Sequence, residues 1–189
     1  MVDWLFSIVR IAGASFPVAS SLVQLQAEID SKALAKRVRR LEDPVSFLHP
    51  DVPEASGELY AALKAQDEAH LQLADDFYSR FRRPLAALES QGYLECRRAL
   101  NRQLPVGIFL SDPSFIMYLC ALCERDDAME QLIQRADSCP VGEWLEGRQI
   151  ATEIGLPVQV AAACFAIYES KGYGLCSNTL GAVQYLGKA

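Results

Sequence analysis

Two nine-residue stretches lie eighty positions apart and nearly in register: Leu88-Glu89-Ser90-Gln91-Gly92-Tyr93-Leu94-Glu95-Cys96 and Tyr168-Glu169-Ser170-Lys171-Gly172-Tyr173-Gly174-Leu175-Cys176. Glu, Ser, Gly, Tyr and Cys coincide. In each copy a helix-forming, apolar-periodic run ends at Glu-Ser-Gln/Lys, a glycine supplies the left-handed residue just past a helix end, and an aromatic residue opens an extended segment. A chain with two such junctions in 189 residues is expected to fold as two units of about 80 residues behind an N-terminal extension. Units that small lean on each other to bury enough surface. With 51% hydrophobic and 22% charged residues, the chain has the composition of a packed globular protein.

The extension covers residues 1–50. Trp4 to Phe16 is the most apolar stretch, with Trp4, Leu5, Ile8 and Ile11 as candidate docking residues. At about 13 residues it falls short of the roughly 20 needed to cross a membrane. It can pack on the protein's own core, pair with a partner, or lie in a membrane interface; a polar face carrying only Arg10 disfavours the last. Val18 to Leu41 reads as a second helix whose basic end, Lys36-Arg37-Val38-Arg39-Arg40, complements the helix dipole, with phosphate contact as the alternative. Asp43-Pro44 opens a short helical turn, and His49-Pro50-Asp51-Val52-Pro53 forms a rigid connector. His49, Asp51 and Glu54 lack a second ligand pair, so turn chemistry is preferred to a metal there.

The first unit, residues 51–111, should contain a helix around Leu59 and Leu63, a second over Glu68–Ala74, and a third over Phe77–Gln91. Pro84 inside the third predicts a kink, or a start near Arg83. Strands are expected over Tyr93–Ala99 and Val106–Leu110. The second unit, residues 112–189, opens with an apolar central helix, Phe115 to Arg125, capped by Ser111-Asp112-Pro113. A helix with Met129, Leu132 and Ile133, a short strand at Glu143–Glu146, helices over Arg148–Ile154 and Ala161–Lys171, and strands over Tyr173–Ser177 and Ala182–Leu186 follow.

From Ile150-Ala151 through Gly155-Leu156-Pro157, the sequence resembles the helix-turn-helix core of the winged-helix superfamily, and with the terminal hairpin the likeness extends over residues 127–189. The resemblance implies a mainly α fold of tandem winged-helix-like units with small β-hairpins. In that superfamily the third helix often enters the major groove and the wing touches phosphate or the minor groove. Net charge is −6 overall, but residues 77–104 carry six basic groups and two acidic ones. Arg80, Arg82 and Arg83 fall near the third helix of the first unit, and Arg97, Arg98 and Arg102 on its hairpin, which the resemblance places on the DNA-facing side. The competing reading is a solvated face tied down by Asp75, Asp76 or Glu95. The candidate recognition helix of the second unit, Val158 to Lys171, has one basic residue, which fits assembly better than DNA.

The expected function is therefore non-enzymatic: double-stranded DNA binding and regulation through the first unit, with the second serving assembly with a protein partner or further copies. The alternative is a protein-interaction adaptor whose N-terminal helix docks on a partner or membrane surface. No Gly-rich phosphate loop, GxSxG or HExxH occurs, and the two histidines, His49 and His70, support no acid–base pair. Cys120-Ala121-Leu122-Cys123 has metal or redox spacing but sits in an apolar helix without a second pair, so buried thiols, no metal and no cofactor are expected. Six irregularly spaced cysteines and an N-terminus without a positive leader point to a reducing, cytoplasmic setting.

Overall fold

A computed structural model describes residues 45–187 except 47, 125, 178 and 180. Trp4, Leu5, Ile8 and Ile11, and the expected helices over 4–16 and 18–41, lie outside the described residues.

The connector is turn chemistry: Nδ1 of His49 accepts a hydrogen bond from the Asp51 amide at 3.2 Å. Helix α1 (Val52–Gln66) follows, with Pro53 in its first turn where a missing N–H costs no helical bond. Val52, Ala55, Ser56, Leu59, Tyr60 and Leu63 form its buried stripe. It stops at Asp67, which adopts the left-handed conformation (φ 50°, ψ 36°). The helix expected over Glu68–Ala74 is instead β1 (His70–Leu71). The left-handed residue turns the chain away from the helix axis, and Leu71 buries completely as an inward strand residue opposite Ile108.

The single helix expected over Phe77–Gln91 is two, α2 (Asp75–Arg80) and α3 (Arg82–Ser90), meeting at Phe81. Pro84 has no N–H for the carbonyl four residues earlier and its ring crowds it, so the break falls between Arg80 and Arg82. Strands β2 (Glu95–Arg97) and β3 (Gly107–Phe109) complete a three-stranded antiparallel sheet in the order β1-β3-β2.

The second unit repeats this element order. Helices α4 (Pro113–Cys123) and α5 (Asp126–Asp137) lead to β4 (Trp144–Glu146), α6 (Gly147–Ile154), α7 (Val158–Ser170), β5 (Gly174–Cys176) and β6 (Gln184–Gly187), with antiparallel order β4-β6-β5. Asp112 caps α4 by accepting from the Ser114 amide at 2.9 Å. α4 packs against both α1 and α7, and Phe115, Met117, Leu119 and Cys120 are essentially inaccessible. The fold is helix-dominated, with two small sheets and one continuous core.

The repeated stretch is a structural device in which almost every shared residue has a task. Ser90 and Ser170 each donate to a carbonyl three residues back, Ala87 and Ile167, both at 2.7 Å. Gly92 (φ 78°) and Gly172 (φ 80°) reverse the chain. The amides of Tyr93 and Tyr173 then close the helix end on the carbonyls of Leu88 (3.2 Å) and Tyr168 (3.0 Å). The Glu89 carboxylate accepts from the Cys96 amide at 2.9 Å, and Glu169 from Cys176 at 2.8 Å, stitching each helix to the strand that follows it. The Arg98 guanidinium, aided by that amide, holds the Glu89 carboxyl below its usual range.

Ser56 is fully buried, and its hydroxyl has no hydrogen-bond partner among the described residues. A small residue is what the site needs, and its hydroxyl is a desolvated burden. Ser56→Ala should therefore be neutral or stabilising by up to about 1 kcal/mol in urea denaturation; clear destabilisation would mean that the hydroxyl has a partner.

Candidate interaction surfaces

The six arginines expected to face DNA do lie around α2, α3 and the β2–β3 hairpin, but four are engaged by carboxylates. Arg80 binds Glu54 and, at 3.0 Å, Glu58, with its guanidinium 4.7 Å above the Phe81 ring. Arg97 lies 3.7 Å from Glu95 and 5.5 Å over the Phe109 ring. Arg98 grips Glu89 with both terminal nitrogens, at 2.6 and 3.2 Å. Arg102 bonds both oxygens of Asp75, at 2.8 and 3.1 Å. Two of the three acidic partners named from the sequence, Asp75 and Glu95, are used; Glu54 and Glu58, 26 and 22 positions from Arg80, are brought close only by the fold, and Glu89, nine positions from Arg98, was not among those named.

Arg82 and Arg83 differ. Both are exposed at the first two positions of α3, and neither forms an ion pair with a described carboxylate. Cations at the positive end of a helix dipole are placed against the local field, a cost of some tenths of a kcal/mol that an arriving anion would relieve.

In the second unit the corresponding helix start is closed. Asp67, at the end of α1, accepts hydrogen bonds from the amides of Val158 (2.7 Å) and Gln159 (3.4 Å), and the Gln159 side chain donates to the Asp67 carbonyl at 3.2 Å. A carboxylate of the first unit thus caps α7, and the first turn of that helix is occupied. Lys64 and the Tyr60 hydroxyl extend the seam to Glu124, at 2.5 and 3.1 Å.

A surface that the sequence reading missed lies on the second sheet. In the β4-β6-β5 register, Trp144 stands opposite Leu186, and Leu186 opposite Leu175, so the three side chains form one row across the sheet. The next row, Leu145, Tyr185 and Cys176, points into the core. Trp144 is 53% exposed and Leu175 40%, with Tyr173 (56%) at one end and Val141 (65%) by the other edge. The signal was present as apolar residues on both faces of strands in a two-layer unit, since alternation normally leaves the open face polar. Pairing along the β5 edge is obstructed, because Glu169 already holds the Cys176 amide. The face itself is open.

Four of the six thiols are held protonated by burial. Burial pushes Cys120 and Cys164 up to about 12 and Cys96 and Cys176 up to about 11, so all four stay protonated at neutral pH. Of the Cys-x-x-Cys pair, Cys120 is buried, its sulfur 3.7 Å from the Tyr60 hydroxyl oxygen, and Cys123 is exposed. Among the described residues no cluster of three or more His, Cys, Asp or Glu could hold a metal, and no helix is long and apolar enough to cross a membrane. No family model, curated protein or solved structure matches the chain.

Proposed function

We propose that the chain is a tandem winged-helix adaptor: a non-enzymatic protein that docks an apolar partner segment on the open face of its second unit. The observation carrying this reading is the Trp144–Leu186–Leu175 row, continued by Tyr173, on a sheet face with nothing described above it. An exposed apolar patch rimmed by polar groups marks a docking surface more often than an accident of folding. The capping of α7 by Asp67 supports it, because a helix whose first turn is held by another unit's carboxylate is poorly placed to read a groove. The helix–strand–helix–helix–strand–strand order of each unit, with its last strand in the centre, supports the winged-helix assignment.

The test is a photoreactive benzoylphenylalanine at Leu175 in the full chain, irradiated in cells. Docking predicts discrete heavier adducts that vanish when Trp144→Asp is added. Adducts absent at Leu175 but present from a probe at Val106 would reject this face.

A second reading, DNA binding through the first unit, is favoured by Arg82 and Arg83 at the open start of α3. Its expected strength follows from the ion pairs. With two free arginines the affinity for generic duplex should fall with salt at a logarithmic slope of about −2, against about −5 were all six to meet phosphates. Fluorescence anisotropy on the native chain and Arg82/Arg83→Glu decides this: loss of binding in the variant supports DNA, and no binding by either at low salt removes it.

A further inference from the structure

The repeat says what kind of surface Tyr173 belongs to. In the first unit its counterpart, Tyr93, is covered by the helix that comes next: the Phe115 ring stacks on it at 5.3 Å, the Ser111 hydroxyl donates to the Gly92 carbonyl at 3.1 Å, and the Asp112 amide to the Tyr93 carbonyl at 3.4 Å. Tyr93 is 8% exposed and Tyr173 is 56% exposed. At the second site the Tyr173 ring meets Tyr168 of α7 edge-on at 5.9 Å and its carbonyl accepts from the Tyr185 hydroxyl at 2.8 Å, but no described element covers the exposed side of the ring as α4 covers Tyr93, which leaves room there for an apolar segment.

We infer that the occupant is the chain's own apolar segment, residues 4–16, seated on the Tyr173–Leu175–Trp144 face of the same molecule. Its chemistry matches: Trp4, Phe6 and Phe16 offer rings, Leu5, Ile8, Val9 and Ile11 offer aliphatic area, and Arg10 is the only charge. Reach is sufficient. The described chain starts at Val45, buried in the core, and Ser46 lies 3.3 Å from the Tyr118 hydroxyl of α4, the helix that packs on α7. Residues 17–44 would span about 42 Å even if wholly helical, against a radius of gyration of about 15 Å for a body of this size. Charge agrees, because Lys36, Arg37, Arg39 and Arg40 lie within that span while residues 105–189 carry ten acidic groups and five basic ones. Tethering favours the chain's own segment over another copy's by raising its effective concentration to about the millimolar range. The inference deepens the docking reading: an outside partner must displace residues 4–16.

The chain has two tryptophans, so in full-length Trp4→Phe, which keeps a ring at position 4, the only indole reports on Trp144. Acrylamide quenching of that protein is compared with Trp4→Phe carrying Ile8→Asp and Ile11→Asp, with circular dichroism melting as the folding control and light scattering for mass. The quenching constant should rise about twofold in the Asp variant, with red-shifted emission, a single cooperative melt and monomers throughout. Equal quenching in both proteins overturns the inference, and so does a dimer that dissociates in the Asp variant, which would place the segment on a second copy. Should the Asp variant lose its cooperative melt, benzoylphenylalanine at Leu175 in the purified chain decides: an intramolecular adduct to a peptide within residues 1–36 upholds it, and its absence rejects it. Heavier adducts in cells without Trp144 protection would leave the docking reading standing alone; protection without heavier adducts would leave only the intramolecular contact.

Discussion

Gly174→Ala should destabilise the second unit by about 3 kcal/mol or more, lowering the thermal midpoint by about 6–12 °C. A Cβ at position 174 would lie 2.2 and 2.3 Å from atoms of the Tyr185 ring and 2.5 Å from the Leu186 carbonyl oxygen. Neither obstacle can yield cheaply. The ring is 2% exposed, stacked on Phe165 at 5.3 Å and anchored through its hydroxyl to the Tyr173 carbonyl at 2.8 Å, and the carbonyl belongs to the central strand. The first unit shows the reverse solution, with Leu94 where the second has Gly174 and Ile108 where it has Tyr185: large beside medium becomes none beside very large. Gly172→Ala is the control. It meets no atom within 4 Å and carries only the left-handed backbone penalty at φ 80°, about 1–2 kcal/mol. Gly174 is not in the left-handed region, so a loss of only a few tenths of a kcal/mol from Gly174→Ala would show that Tyr185 and the Leu186 carbonyl yield freely.

Asp67→Ala should cost about 2–3 kcal/mol, combining a lost helix cap, about 1–2 kcal/mol, with the poorer tolerance of alanine for the left-handed conformation at φ 50°. Asp67→Asn should retain most of the stability, since its amide oxygen accepts the same bonds and asparagine tolerates that backbone. Asp67→Gly separates the two terms by relieving the backbone while removing the cap. The signature is local: amide hydrogen exchange at Val158 and Gln159 should accelerate in the Ala and Gly variants but not in Asn. Unchanged exchange at those amides would mean that α7 is capped by something else.

What could be read in the chain was whatever local chemistry determines. Glycine past a helix end, Asp-Pro at a helix start and Pro84 inside a helix act over four residues or fewer, and each sits where its stereochemistry requires. The Glu68–Ala74 stretch was misread because no short-range signal marks a two-residue strand, which exists only through Ile108 and Phe109 across the sheet. The arginines fall on or beside α2, α3 and the β2–β3 hairpin, and their partners were only partly legible. Arg80 reaches Glu54 and Glu58 because α2 lies alongside α1, a fact of packing. Asp67 carries no local signal and gains its role from an amide ninety-one positions away. The apolar row on the second sheet needed the register, since Trp144 and Leu175 are far apart in sequence and meet only through Leu186.

Helix α4 has a consequence for how this molecule can be divided. It follows directly on the first sheet, contributes Phe115 to the cover of Tyr93, and gives its remaining flank to α7. A cut after Leu110 strips the first half of a wall, and a cut after Cys123 strips the second, so each fragment would present to chaperones and proteases an apolar flank that the whole protein never shows. The two halves are pages sharing a spine, and each needs the other to keep that helix covered.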